Sequence, residues 1–316
     1  MNHFHRAFLP VAALVIFAGA LSAADTLELK QRWIAGKKYY QTMETVQTSS
    51  FSMAGQTVEQ RVSTTMEISQ AVRLQPDGKT KRMTMKYDRV AMDMSMNGQK
   101  AGFDSSKPDA GNDPLGFSKT MGAIAGKELQ ILLSQSDDIT AIENYDEFIK
   151  LLGSSPVPGM DMGKMFSKDS IIQMMKGQAL QSLPGHPVKP GDSWPFTTNV
   201  DLPQMGKVAV TGNYLLKGMA DYKGIPVAEI LADAKISMDF SGADPSQQVA
   251  QLGMKVEGGS LKGMIRFDPK LGIARNTQMT QDMTMTMKNP ADPSATISVP
   301  LKQTVEMTLT KVEDLK

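Results

Sequence analysis

At 316 residues, with no cysteine and with 34 Lys+Arg against 33 Asp+Glu, the chain is long enough to bury a large core and must hold it without disulfides. Near-neutrality with no basic run leaves nucleic acid and anionic membrane surfaces without electrostatic footing. The missing cysteine rules out a cysteine nucleophile and a lipidated N-terminal cysteine.

Residues 1–24 read as a secretory signal peptide: Arg6, the apolar run Ala7–Leu21, then Ser22, Ala23 and Ala24, with cleavage after Ala23 or Ala24. The run is shorter than the ~20 residues of a spanning helix, and no later run is long or apolar enough to span. The expectation is one soluble exported domain over 25–316, in the periplasm or outside the cell. Losing Arg6 with the signal brings the mature chain to neutrality.

Asp25–Gly36 reads as a polar lead-in containing Trp33, and a β-rich half follows over about 37–104. Val58, Val62, Met66, Ile68, Val72 and Leu74 fall on even positions, while Glu59, Arg61, Thr65 and Glu67 fall on odd ones. This period of two predicts a long strand with one wet face. Pro76-Asp77-Gly78 predicts a hairpin turn. Met83, Met85 and Tyr87 sit on odd positions and Val90, Met92, Met94 and Met96 on even ones, so one extra residue, a β-bulge, is required near Asp88–Arg89. Asn97-Gly98 turns the chain into a strand ending at Phe103-Asp104.

A helical and hairpin insert is expected over about 115–183. Phe117, Met121, Ile124 and Ala125 have helical spacing. Glu128–Gln135 and Ile139–Asn144 form a hairpin around Ser136-Asp137-Asp138, and Asn144 with Glu147 resembles a capping box. A further helix would carry Ile171, Ile172, Met175, Ala179 and Leu180 on one face.

Ser182–Phe196 then breaks all regular structure with Pro184, Pro187, Pro190, Pro195, Gly185 and Gly191. Gly191-Asp192 reads as a tight turn and Trp194 as a large apolar anchor. The stretch is read as a seam docking the second β-rich half, about 184–316, onto the first. In that half Ala228–Phe240, Leu261–Phe267, Ile273–Met287 and Leu301–Leu309 alternate apolar and polar residues, the mark of antiparallel sheet with one solvated face. The predicted fold is α+β: a large, curved, mostly antiparallel sheet in two β-rich halves with a short helical insert. Long one-sided strands with few helices to cover them predict a sheet wrapping on itself or an apolar concavity.

Little catalytic apparatus is visible. The mature chain has one histidine, His186, in the proline-rich loop, so a His/Cys zinc site lacks its ligands. No G-x-S-x-G elbow, P-loop or dinucleotide fingerprint occurs, and nothing selects a carboxylate pair among Asp104, Asp137, Asp138, Asp192 and Asp268. No metal, cofactor or catalytic residue is assigned. Methionine is the compositional oddity, 25 residues against 11 Phe and 2 Trp. Met92, Met94 and Met96, like Met283, Met285 and Met287, present thioethers on one strand face. Three readings stand: adaptable core filler, the lining of an apolar-ligand site, or soft ligands for Cu(I).

With those elements placed, the chain resembles a family of exported bacterial proteins catalogued as domain of unknown function 6263. The resemblance lies in G-K-K-Y-Y at Gly36–Tyr40, the strand ending at Phe103-Asp104-Ser105, L-P-x-x-P-V-K-P-G-D-S-W at Leu183–Trp194 and G-N-Y-L-L-K-G at Gly212–Gly218. It implies no catalytic residue. At fold level the strands are also similar to the half-barrels of periplasmic lipoprotein carriers. The function expected is non-enzymatic: an exported protein binding a lipid, another apolar ligand or a cell-envelope partner. The alternatives are a purely structural envelope protein, a Met-rich Cu(I) binder and a hydrolase.

Overall fold

The structure is a computed structural model, and it describes residues 26–53, 56–107, 122, 124–152, 168, 172, 183–202, 206–240, 253–289 and 292–315. The signal peptide, most of the helices expected at 115–125 and 167–180, and the residues around Pro108–Met121 lie outside the described residues; Gly122, Ile124, Lys168 and Ile172 are helical. The elements in chain order are β1 (Lys37–Met53), β2 (Gln56–Leu74), β3 (Lys81–Met96), β4 (Gln99–Asp104), β5 (Glu128–Leu133), β6 (Ile139–Ile142), α1 (Tyr145–Leu152), β7 (Ser193–Leu202), β8 (Gly206–Tyr222), β9 (Ile225–Asp239), β10 (Lys255–Asp268), β11 (Ile273–Asn289) and β12 (Asp292–Asp314).

All twelve strands form one open, curved antiparallel sheet in the order β6-β5-β3-β2-β1-β12-β11-β10-β9-β8-β7, with β4 also on β3. Neighbours are consecutive in sequence at every step but two: β5 pairs with β3 past β4, and β12 returns to pair with β1 from Lys37↔Asp314 to Ser49↔Leu301. That pairing joins the two β-rich halves edge to edge. The turns follow their sequence signals: Asn97 (φ 49) and Gly98 (φ 82) form the two-residue β3–β4 turn that needs positive φ at both positions. The expected bulge is present, since Glu67 opposes Arg89 and Ile68 opposes Tyr87, leaving Asp88 as the extra residue.

Two apolar clusters close one end of the sheet. In the first, Tyr39, Val72, Met83, Met85 and Val90 cluster with their neighbours Leu129, Ile131 and Leu133 on β5 and Ile142 on β6, with Phe148 of α1 and with Trp33. The Trp33 ring meets the Tyr39 ring edge-on at 5.1 Å, and the Tyr39 hydroxyl accepts the Ile34 N–H. The second cluster gathers Leu29, Val188, Trp194, Leu216, Ile230, Ile265 and Phe267.

These clusters correct three expectations. The lead-in is not a polar strap: Leu29 and Trp33 are buried, and Leu27 bridges Val188. Among the described residues the seam packs within the second half and against the lead-in, while the two halves meet along β1 and β12. Trp194 packs against Tyr214 within the second half, and Gly191 donates to the Leu216 carbonyl, so Pro184–Trp194 closes the β7 edge against the lead-in. Finally, Asn144 precedes α1 but does not cap it by side chain. Its amide accepts from Gln130 N–H and donates to Glu128 O, tying the helix start to β5.

Candidate functional site

Cross-strand register shows which residues share a face, because directly opposed residues point the same way and neighbours along a strand point apart. At the level of Met43, one row runs Val90–Met66–Met43–Met307–Thr277–Ile265 across β3, β2, β1, β12, β11 and β10. Two residues further along, the row is Met92–Thr64–Thr45–Val305–Met279–Gly263. The next is Met94–Val62–Gln47–Gln303–Gln281–Leu261, and then Met96–Gln60–Ser49–Leu301–Met283. No Asp, Glu, Lys or Arg stands on these four rows. The opposite face carries Thr42, Glu44, Thr48, Arg61, Glu67, Asp282, Lys302, Glu306 and similar residues, so the sheet is two-sided.

The methionine runs occupy the apolar face, and their burial changes along it. Met83, Met85 and Met92 are buried, Met94 is half-buried and Met96 is 48% exposed. Met283 is buried, whereas Met285 and Met287 are half-buried. Periodicity missed one grouping: Met66, Met43 and Met307 stand side by side on three adjacent strands, all half-buried. Only register could bring them together, since they are remote in sequence. A Cβ at Gly263 would collide with the Gln278 carbonyl oxygen as well as the Met279 sulfur, and the backbone contact cannot yield, which accounts for glycine at that position.

The polar groups of this face are amides and hydroxyls. Gln41 and Gln70 are buried near Tyr39, and the Gln70 Oε1 has no hydrogen-bond partner among the described residues. Gln60 donates to the Met94 sulfur at 3.8 Å. Gln47, Gln281 and Gln303 are half-buried and adjacent.

Ionic chemistry is kept to the other face and to strand ends. Arg89 clamps Asp104 through two hydrogen bonds (3.0 and 2.9 Å) and also reaches Glu67. Hydrogen bonds from Arg89 and then from Ser106 hold the Asp104 carboxyl well below the usual carboxylate range. At the corresponding Phe267-Asp268 end, Arg275 donates twice to Asp268. Both aspartates thus serve as strand-end clasps. His186 is exposed, with Nδ1 beside the Pro187 carbonyl, and Lys189 N–H and Gly191 (φ 93) define the Asp192 turn. Among the described residues no group of three His, Cys, Asp or Glu could hold a metal ion.

A hollow of about 590 Å³ lies at the end of the sheet away from the two cores. Most of its lining comes from the polar face, with Arg61, Asp282 and Lys302 of mixed sign. It also takes in Ser49, Gln60, Met283 and Leu301 of the fourth row, so charged and uncharged residues mix there, while the first three rows lie outside it. The apolar face, with its methionine and glutamine rows, is therefore the candidate site.

The fold and this face define a class: an open antiparallel sheet with one charged face and one uncharged, methionine-rich face. A profile of a family of unknown function (DUF6263) matches residues 78–274, more than half of the chain, and the chain belongs to that family. No curated protein matches it. Among solved structures it is similar to lipovitellin, from a study of lipid–protein interactions, at 10% identity and TM-score 0.49, covering 90% of this chain and 26% of that one. This chain thus spans about a quarter of the lipovitellin chain. A putative outer membrane lipoprotein-sorting protein domain from Vibrio parahaemolyticus follows at 8% identity and TM-score 0.15, covering 87% and 86% of the two chains. A DUF1329 family protein from Desulfovibrio piger gives 9% identity and TM-score 0.17, with 89% and 86% covered. With TM-scores under 0.5, none of the three bears on function. Among the described residues no helix is long and apolar enough to cross a membrane, a statement silent on β-strand spans.

Proposed function

We propose that the protein is a non-catalytic, exported binding protein whose methionine-rich face holds an apolar ligand such as a lipid. The observation that carries the reading is a half-buried apolar face beyond the sealed end, with Met43, Met94, Met285, Met287 and Met307 on it. Thioether side chains are flexible and polarisable, so they accommodate acyl chains of varied shape. A half-exposed apolar surface stays in water only at a cost of about 25 cal/mol per Å², and a hydrocarbon ligand removes that cost. Export rests on the N-terminal pattern of residues 1–24.

Mass spectrometry of organic extracts from the purified native protein tests the reading, together with the fluorescence of diphenylhexatriene on titration. A recovered lipid and saturable fluorescence are expected for the wild type. Met285→Lys should keep the fold, because the site is half-exposed, and lose the fluorescence. An empty extract with no fluorescence from the wild type would overturn the proposal.

A further inference from the structure

Resting on that apolar-face reading, we propose that the ligand is an electrically neutral lipid whose uncharged polar group, an ester or a hydroxyl, is held by the amide row Gln47–Gln303–Gln281. The three residues are direct cross-strand neighbours on β1, β12 and β11. Strands lie about 4.8 Å apart, so their Cα atoms span roughly 10 Å. Among the described residues no hydrogen bond engages their side-chain amides, which together offer six N–H donors and three carbonyl acceptors.

An amide without a partner on an apolar surface is costly once water leaves, because its donors and acceptor then go unsatisfied. A pure hydrocarbon laid over this row would incur that cost three times. A ligand with ester carbonyls or hydroxyls at the same level satisfies the amides while its chains cover the apolar fields on either side. Those fields are Met43, Met66 and Met307 towards the sealed end, and Leu301 and Met283 away from it.

Charge argues in the same direction. The four rows contain no ionisable side chain, so nothing on them compensates a carboxylate or phosphate drawn from water, and burying an unpaired charge is far more costly than burying an ester. Arg61 and Lys302 stand on the opposite face, one residue out of phase with Val62 and with Gln303. The chemistry recognised is thus an uncharged polar group flanked by hydrocarbon on both sides.

The experiment compares three probes on the full mature chain: dioctanoylglycerol, dioctanoylphosphatidate and diphenylhexatriene. The two lipids share chains and esters and differ by the phosphate. Wild type should bind dioctanoylglycerol about tenfold or more tighter than the phosphatidate. The triple variant Gln47→Leu/Gln281→Leu/Gln303→Leu should weaken dioctanoylglycerol about tenfold, the equivalent of one to two lost hydrogen bonds, while diphenylhexatriene, which incurs the amide cost in the wild type, binds at least as tightly as before. Gln303→Leu alone, at the centre of the row, should show part of the same loss and guards against misfolding of the triple variant. Diphenylhexatriene binding with equal affinity for both lipids, or with dioctanoylglycerol unaffected by both variants, would overturn the inference and leave the apolar-face reading standing. Failure of the wild type to bind diphenylhexatriene would overturn both.

Discussion

The two ends of the sheet carry the same strand code and do different things with it. At the sealed end Met83 and Met85 project from β3 onto an apolar face and are 2% and 6% exposed. Beyond the bulge at Asp88 the same strand places Met92, Met94 and Met96 on that face, and the last is 48% exposed. The difference lies in what covers them. Leu129, Ile131 and Phe148, with Trp33 from the lead-in, cluster with the first pair. The M-x-M spacing sets a direction on the strand, and burial is supplied by segments remote in sequence.

Substitutions at the two ends separate packed positions from open ones. The largest effect is expected in the second cluster of the sealed end, where Trp194 is 6% exposed against Tyr214 at a ring separation of 5.8 Å. Trp194→Ala should cost about 3–5 kcal/mol in urea unfolding, the range for a buried aromatic. A loss under about 1 kcal/mol would place the seam outside the cooperative core.

Next come two methionines on one strand. Met85→Ala should cost about 2–4 kcal/mol through the cavity left beside Leu129, its cross-strand neighbour, whereas Met94→Ala should cost under about 1 kcal/mol. Equal losses in denaturant melts would mean that both ends of the apolar face are packed alike.

A small effect, one that depends on pH, concerns the clasp on the polar face. Asp104→Asn should cost about 1 kcal/mol at neutral pH, since the Arg89 pair is partly exposed to solvent. The native carboxyl is depressed by hydrogen bonds from Arg89 and Ser106, so its contribution is fully present above the ordinary aspartate value of about 3.9. It is lost as pH falls through the lower, native value. The difference in Tm between wild type and variant should therefore narrow below about pH 4. A gap unchanged down to pH 2 would show that the clasp acts through shape and not through charge.

Much of this architecture could be read from local pattern. Period-two alternation located the strands, Asn97-Gly98 and Pro76-Asp77-Gly78 located turns, and the phase change after Tyr87 located a bulge, because each depends on neighbours along the chain. The methionine faces were legible for the same reason. Pairing of the first strand with the last was not, since nothing local encodes that Lys37 opposes Asp314. From that one non-local ladder follow the row Met66–Met43–Met307 and the amide row Gln47–Gln303–Gln281, which no spacing along a single strand could reveal. The lead-in misled for a similar reason: its alternating charges concealed Leu29 and Trp33, whose partners lie on distant strands. Sequence by itself determined which residues face which way on each strand, as backbone geometry fixes that within a few residues. Tertiary structure alone decided which faces are covered and which amides meet, because both depend on contacts that close large loops of chain.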